Sequence, residues 1–221
     1  MTRSIIFSVL TFYIFMACSP APVDNEVTKV IKTTVFSVEG TDTYQIDTVQ
    51  FIEKEFFDHR DVKLEHQFMF SDGTLKAKEV YEFNSGSKYA KSSTYNDNNG
   101  NKLAYYKFLY DGDGNRVSSH GYDASNDELL RIERYQYDTK GNKVVKEIRS
   151  ADDVLNRTFQ FSHDEEGNTK SMTVANAEGK ILIREDYKII GRDKKSNVWV
   201  EMWGFIGSTP NSCKLREITQ S

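Results

Sequence analysis

The sequence predicts an all-β chain: an antiparallel meander of repeated hairpins forming an extended or curved, largely single-layer sheet. Three observations carry this reading. A turn pattern of Asp, two variable residues, Gly or Ser, then Asn recurs along the chain, with aspartates at 97, 111, 138, 164 and 193. The segments between the turns are rich in Tyr, Phe, Ile and Val, the residues that suit a pleated surface. No stretch has strong helical periodicity, and only three prolines occur, so the strands are free to donate to a ladder. The composition is that of a folded protein: 221 residues, 38% hydrophobic, 28% charged, with a net charge of -4. With no basic run there is no footprint for nucleic acid, whose binding depends on neutralising phosphates.

In chain order, the first element is a targeting segment over residues 1–17. Arg3 precedes an apolar run from Ile5 to Met16, the length of a signal-peptide core and well short of the roughly 20 residues that span a bilayer. It ends in Phe15-Met16-Ala17-Cys18. A small residue before a cysteine resembles the lipobox of bacterial lipoproteins, although Phe15 and Met16 stand where that family usually has Leu and a small residue. The resemblance implies that Cys18 is acylated and becomes the first residue, and Ser19 in place of Asp implies the outer membrane. The same residues also fit a plain secretory signal cut near Ala17. Residues 18–26, with Pro20 and Pro22, read as an extended tether. Residues 27–221 form the β repeat domain. Losing Arg3 leaves the mature chain at -5, so lipid and not charge would hold it at a membrane. With Cys18 lipidated, Cys213 has no partner for a disulfide and reads as a half-buried strand residue.

The segment from Gln50 to Arg60 reads as a strand ending at Asp58-His59-Arg60-Asp61. Weaker turns follow at Ser71-Asp72-Gly73-Thr74 and Asn84-Ser85-Gly86-Ser87. The strong blocks are Asp97 with Gly100 and Asn101, Asp111 with Gly114 and Asn115, Asp138 with Gly141 and Asn142, Asp164 with Gly167 and Asn168, and Asp193 with Ser196 and Asn197. Asp can accept hydrogen bonds from amides just ahead of it, Gly allows positive φ, and Asn tolerates the same region. Between the later blocks lie Ala124-Ser125-Asn126-Asp127, Ala151-Asp152-Asp153 and Asn176-Ala177-Glu178-Gly179. Turns therefore alternate in type, and one edge of the sheet is expected to carry the Asp-x-x-Gly-Asn turns and the other edge shorter ones. Over residues 129–137 neither face is purely apolar, which excludes the wall of a greasy sandwich.

Tyr135-Gln136-Tyr137-Asp138-Thr139-Lys140-Gly141-Asn142 resembles the YD repeat of Rhs-type proteins, Tyr-x-Tyr-Asp-x-x-Gly-Asn. Tyr110 to Asn115 matches its second half, and Phe161 to Asn168 matches with Phe161 and His163 in place of the tyrosines. The likeness covers residues 96–197 and implies β-sheet architecture, without the length or cargo of a toxin shell. Lipobox and repeat together look like small Bacteroidota lipoproteins, and Asp47-Thr48-Val49 resembles an O-glycosylation site of that phylum.

Motifs for chemistry are sparse. Asp111-Gly112-Asp113-Gly114-Asn115 alternates oxygen ligands, but Arg116 and Tyr122 stand where a calcium loop needs Gly and Glu. The four histidines have no helical pairing or cysteine partner for zinc. No nucleophile elbow, phosphate loop or dinucleotide fingerprint occurs, so no metal and no cofactor are expected. Alternation places Trp199, Trp203 and Phe205 on one strand face, either buried or forming an aromatic platform. The function these features imply is a non-catalytic binding or scaffolding module, lipid-anchored at the envelope, with an envelope protein or glycan as partner. A glycan-binding surface lipoprotein and an envelope-polymer hydrolase are the alternatives.

Overall fold

The computed structural model describes residues 26–39, 45–192 and 199–220. The signal segment, Cys18, most of the tether, Asp193 and Asn197 lie outside them. Among the described residues there is no helix. The chain runs through β1 (Lys29–Glu39), β2 (Gln45–Phe57), β3 (Lys63–Met69), β4 (Leu75–Phe83), β5 (Ala90–Asp97), β6 (Lys102–Tyr110) and β7 (Arg116–Asp123). It continues through β8 (Leu129–Tyr137), β9 (Lys143–Ser150), β10 (Leu155–His163), β11 (Thr169–Asn176), β12 (Ile181–Arg192), β13 (Trp199–Ile206) and β14 (Thr209–Gln220).

Each strand pairs antiparallel with its neighbours in sequence, and β1 also pairs with β14, from Lys29 opposite Gln220 to Ser37 opposite Ser212. The sheet is therefore a closed 14-stranded barrel and not the open sheet that the sequence predicts. Closure satisfies the two edges that an open meander would leave unpaired. The pattern of the sequence could not show it, because the closing strands stand at opposite ends of the domain.

Tracing the register around the barrel assigns each residue to a face. Ala77, Glu79 and Tyr81 lie level with Asp97, Tyr95 and Ser93, and through β6 and β7 with Glu133 and Arg131 of β8. This face looks inward. It carries the buried apolar residues Val35, Ala77, Phe108, Val174 and Met202, interleaved with Glu55, Glu79, Glu133 and Glu185. The other face looks outward and carries exposed Lys76, Lys107, Arg134, Arg184, Lys188 and Glu217. Thr34, Ile132 and Cys213 are among the buried exceptions on it.

A wall facing lipid needs an apolar band about 25 Å tall, within which a lysine or arginine near the midplane costs about 2–4 kcal/mol. Lys107, Arg134 and Lys188 fall in mid-strand. The exposed aliphatic residues instead gather near turns, at Ile46, Leu103, Leu130, Val154, Ile181 and Ile206. The outer wall is thus charged where hydrocarbon would touch it. No helix among the described residues is long and apolar enough to cross a membrane.

Antiparallel order divides the turns between two rims. The lower rim carries the starts of β1 and the reversals at 58–62, 84–88, 111–115, 138–142 and 164–168; the upper rim carries those at 70–74, 97–101, 123–128, 150–154 and 176–180. Asp111, Asp138 and Asp164 share the lower rim, but Asp97 reverses the chain at the upper one.

Candidate functional site in the barrel lumen

The rim is built by local chemistry. At Asp138, Oδ1 accepts from the amides of Lys140 at 2.9 Å and Asn142 at 2.8 Å, while Oδ2 accepts from the Asn142 side-chain amide at 3.0 Å. Gly141 takes the left-handed conformation, φ 82°, that lets the chain return with a bulge. Asp97, Asp111 and Asp164 repeat the arrangement. The Asn side chain thus braces its own turn, and the left-handed residue is the Gly before it. These hydrogen bonds hold the turn aspartates below the usual carboxylate range, the bond from Asn contributing most.

Two of the shorter turns share the backbone of the long pattern, whereas that at 123–128 is one residue longer, Asp123 N donating to the Glu128 carbonyl and Asp127 N to the Asp123 carbonyl. At Ser150 and Asn176 the same pair of backbone bonds closes the reversal, with Asp153 and Gly179 at positive φ and Ser150 or Asn176 accepting in place of Asp. A further copy at Asp58 has Asp61 in the glycine place, φ 61°, and Val62 in the asparagine place. Asp58 is fully buried and accepts from the amides of Arg60 and Val62 and from the Arg60 guanidinium. Burial opposes its charge, but these bonds outweigh that and hold its carboxyl low.

Neighbouring turns on the lower rim lean on one another. A Cβ on Gly167 would meet Asn142 Oδ1 at 2.9 Å, and the Tyr89 ring occupies the place of a side chain on Gly114. The second tyrosine of each motif ties its hairpin to the one before: Tyr137 donates to the Arg116 carbonyl at 3.0 Å, and Tyr110 to the Ala90 carbonyl at 2.8 Å. His163, at the equivalent place, has its Nδ1 buried without a hydrogen bond.

The first tyrosine of the motif faces the lumen. Tyr135 donates to Glu133 at 2.5 Å, and two further strands repeat this Glu-x-Tyr pairing, Tyr81 with Glu79 at 2.9 Å and Tyr187 with Glu185 at 2.8 Å. The glutamates stand 54 and 52 residues apart, which is two hairpins. This second repeat went unread in the sequence because it shows only once the strand faces are assigned. A serine hydroxyl completes two of the pairs, Ser93 to Glu79 and Ser212 to Glu185.

Between β3 and β9 the first two of these glutamate–tyrosine pairs, Glu79 with Tyr81 and Glu133 with Tyr135, line a cavity of about 240 Å³ that also reaches Tyr106, Phe108, Arg116 and Lys146. A mouth of about 380 Å³ on the lower rim shares Tyr81 and Arg116 with it. Glu133 pairs with Lys146 at 3.1 Å and Arg131 at 3.4 Å. Burial disfavours its charge, yet Lys146, the Tyr135 hydroxyl and Arg131 keep its carboxyl below the usual range. Burial likewise raises Tyr81 and Tyr135, reinforced by their glutamates, so both phenols stay protonated as donors. A depression of about 650 Å³ lies on the outer wall by Val27, Phe56, Leu64 and Val80, away from this convergence of polar groups.

The remaining sequence candidates fall elsewhere. Trp203 and Phe205 are half-buried on the outer face, with Trp203 Nε1 donating to Glu201 at 2.8 Å; the side chain of Trp199 lies outside the described residues. Cys213 is fully buried, not half-buried, and burial, with Glu201 beside it, pushes its thiol up to about 11. Thr48 is exposed, its hydroxyl 2.9 Å from that of Ser37. No group of three or more metal-ligating side chains occurs among the described residues.

In sequence, neither a protein family nor a curated protein matches the chain. Several solved structures share its shape remotely. A porin-like protein from Bacteroides uniformis is 9% identical, with 88% of this chain and 96% of that one covered and a TM-score of 0.48. A porin-like protein from Bacteroides vulgatus is 11% identical, covering 86% and 97%, with a TM-score of 0.38. The Tc holotoxin pore of Photorhabdus luminescens is 13% identical over 77% of this chain, which spans 9% of the toxin chain, with a TM-score of 0.31. These likenesses are too distant to assign a function.

Proposed function

We propose that this chain is a non-catalytic binding module of the bacterial cell envelope, held on the outer membrane by lipid at Cys18, that takes its ligand through the lower rim into the lumen. The observation that carries the reading is the inward convergence of aromatic faces and paired ions around an accessible cavity, the lining of a ligand site. Strand β1 begins at the same rim, and Lys29 follows Cys18 by eleven residues, so a fully extended tether at about 3.5 Å per residue would keep the mouth within about 40 Å of the lipid. Against hydrolysis, a general acid needs a carboxyl held above its ordinary value, and Glu133 is held below it.

The test is a titration against an array of envelope glycans and small organic ligands with the Arg131→Ala and Arg134→Ala variants, residues three positions apart on opposite faces of β8. Binding lost in Arg131→Ala and kept in Arg134→Ala fits the lumen. Binding lost only in Arg134→Ala, or turnover of any ligand, contradicts the proposal. Palmitate labelling that survives Cys18→Ala would remove the anchor.

A further inference from the structure

After three of the lower-rim turns the next residue enters the lumen at one level. After Val62 it is Lys63, after Asn115 it is Arg116, and after Asn142 it is Lys143, each paired across the bulge with the aromatic residue that precedes its turn: Phe57, Tyr110 and Tyr137. The repeat therefore sets three cations at the mouth. Lys63 is neutralised by Glu55. Deeper in, Lys146 and Arg131 are taken by Glu133, and Glu79 is taken by the hydroxyls of Tyr81 and Ser93.

Arg116 and Lys143 are left over. Neither side chain has a hydrogen bond or ion pair among the described residues, and both lie against one ring, Arg116 Cζ 5.9 Å and Lys143 Nζ 5.0 Å from the centroid of Tyr135. Arg116 also caps Phe108 at 4.2 Å. A ring face attracts one cation; a second brought to the same ring repels the first. Lys143 registers this: burial lowers its affinity for a proton, Lys146, Arg116 and Lys63 lower it further, and Glu133, already paired with Lys146 and Arg131, offsets only part. Two half-buried cations held together without an ion-pair partner of their own, beside a cavity that Arg116 lines, are a site lacking its counter-charge.

We propose that Arg116 and Lys143 form a receptor for an oxyanion, the carboxylate or phosphate group of a small ligand entering by the lower rim. This deepens the binding reading above and rests on it. The arginine fork offers paired donors and the lysine a point charge, and an oxyanion between them removes their repulsion. The aromatic rings beneath leave the rest of the ligand an apolar floor.

The test uses the full mature chain, thermal unfolding, and four probes at matched ionic strength: inorganic phosphate, D-glucuronate, D-glucose and chloride. Phosphate or glucuronate should raise the unfolding temperature saturably, and Lys143→Met should weaken the response at least tenfold. With no anion present, Lys143→Met should be as stable as the native chain or more so, because it removes a repulsion; a lysine with a purely structural role would give a loss. Amine labelling read by mass spectrometry should show Lys143 protected by the effective anion and outward Lys107 unaffected. An anion response that persists unchanged in Lys143→Met is a general salt effect and overturns the proposal. Binding of glucose with no response to either anion overturns it too but leaves the binding reading intact; failure of every ligand on the array removes both.

Discussion

At the residue scale, the turn aspartates and the motif tyrosines carry separable loads. Asp58 is the turn residue with most at stake, because its buried carboxylate has four donors. Asp58→Ala should cost about 2–3 kcal/mol in urea unfolding at neutral pH. Its folded-state pKa is depressed, so the stabilisation is present above the ordinary value of 3.8 and fades as pH falls from there through the folded value. Native chain and variant should therefore converge in acid. Tyr137→Phe removes one hydrogen bond to a carbonyl and should cost about 1 kcal/mol, measured the same way. Much of this was legible in the sequence, since Asp, Gly and Asn act on amides within five residues. The strand end at Asp58 was read, but not that its turn is a copy of the motif. Asp61 and Val62 stand where the pattern has Gly and Asn, and the surviving signal is a cation directly after the turn, as at Arg116 and Lys143.

At the scale of the hairpin, a glycine can be required for its conformation or for what stands beside it. Gly179 and Gly167 both have positive φ, but Gly179 has open space around it and Gly167 faces Asn142 of the neighbouring turn. Gly179→Ala should cost about 1 kcal/mol from φ alone. Gly167→Ala should cost more, and the excess should vanish when Asn142→Ala is made as well, a double-mutant cycle that reads the coupling between successive turns. Such coupling gives Gly167 and Asn142 a shared place on the lower rim, whereas the Asp58 turn of the same rim closes with Asp61 and Val62 in the glycine and asparagine places. Turn positions were readable from the sequence because each hairpin is local. Allocation to rims was read only in part, since Asp97 belongs with the upper rim.

At the scale of the molecule, closing the meander turns two mixed faces into an inside and an outside. The inner face gathers Glu-x-Tyr pairs and cations around a cavity, and the outer one meets water with its lysines and arginines. Neither role could be read from alternation alone, because charges occupy both faces. The fold class was legible; the lumen was not, because it follows from pairing β1 with β14, whose residues lie more than 170 positions apart. That seam also buries Cys213, which should stay unreactive toward a thiol reagent in the native state and react on unfolding.

The same seam gives the most direct test of the account. Phe36 stands opposite Cys213 across β1 and β14, and antiparallel partners are close enough, at about 4.5–5.5 Å between Cα atoms, for a disulfide. Phe36→Cys, refolded with oxidised glutathione and run on a non-reducing gel, should give a monomer cross-linked to Cys213 that migrates faster than its reduced form and yields one disulfide-linked peptide pair. A chain that stays reduced, or links only to other chains, would mean that the meander is open and that the lumen and its site do not exist.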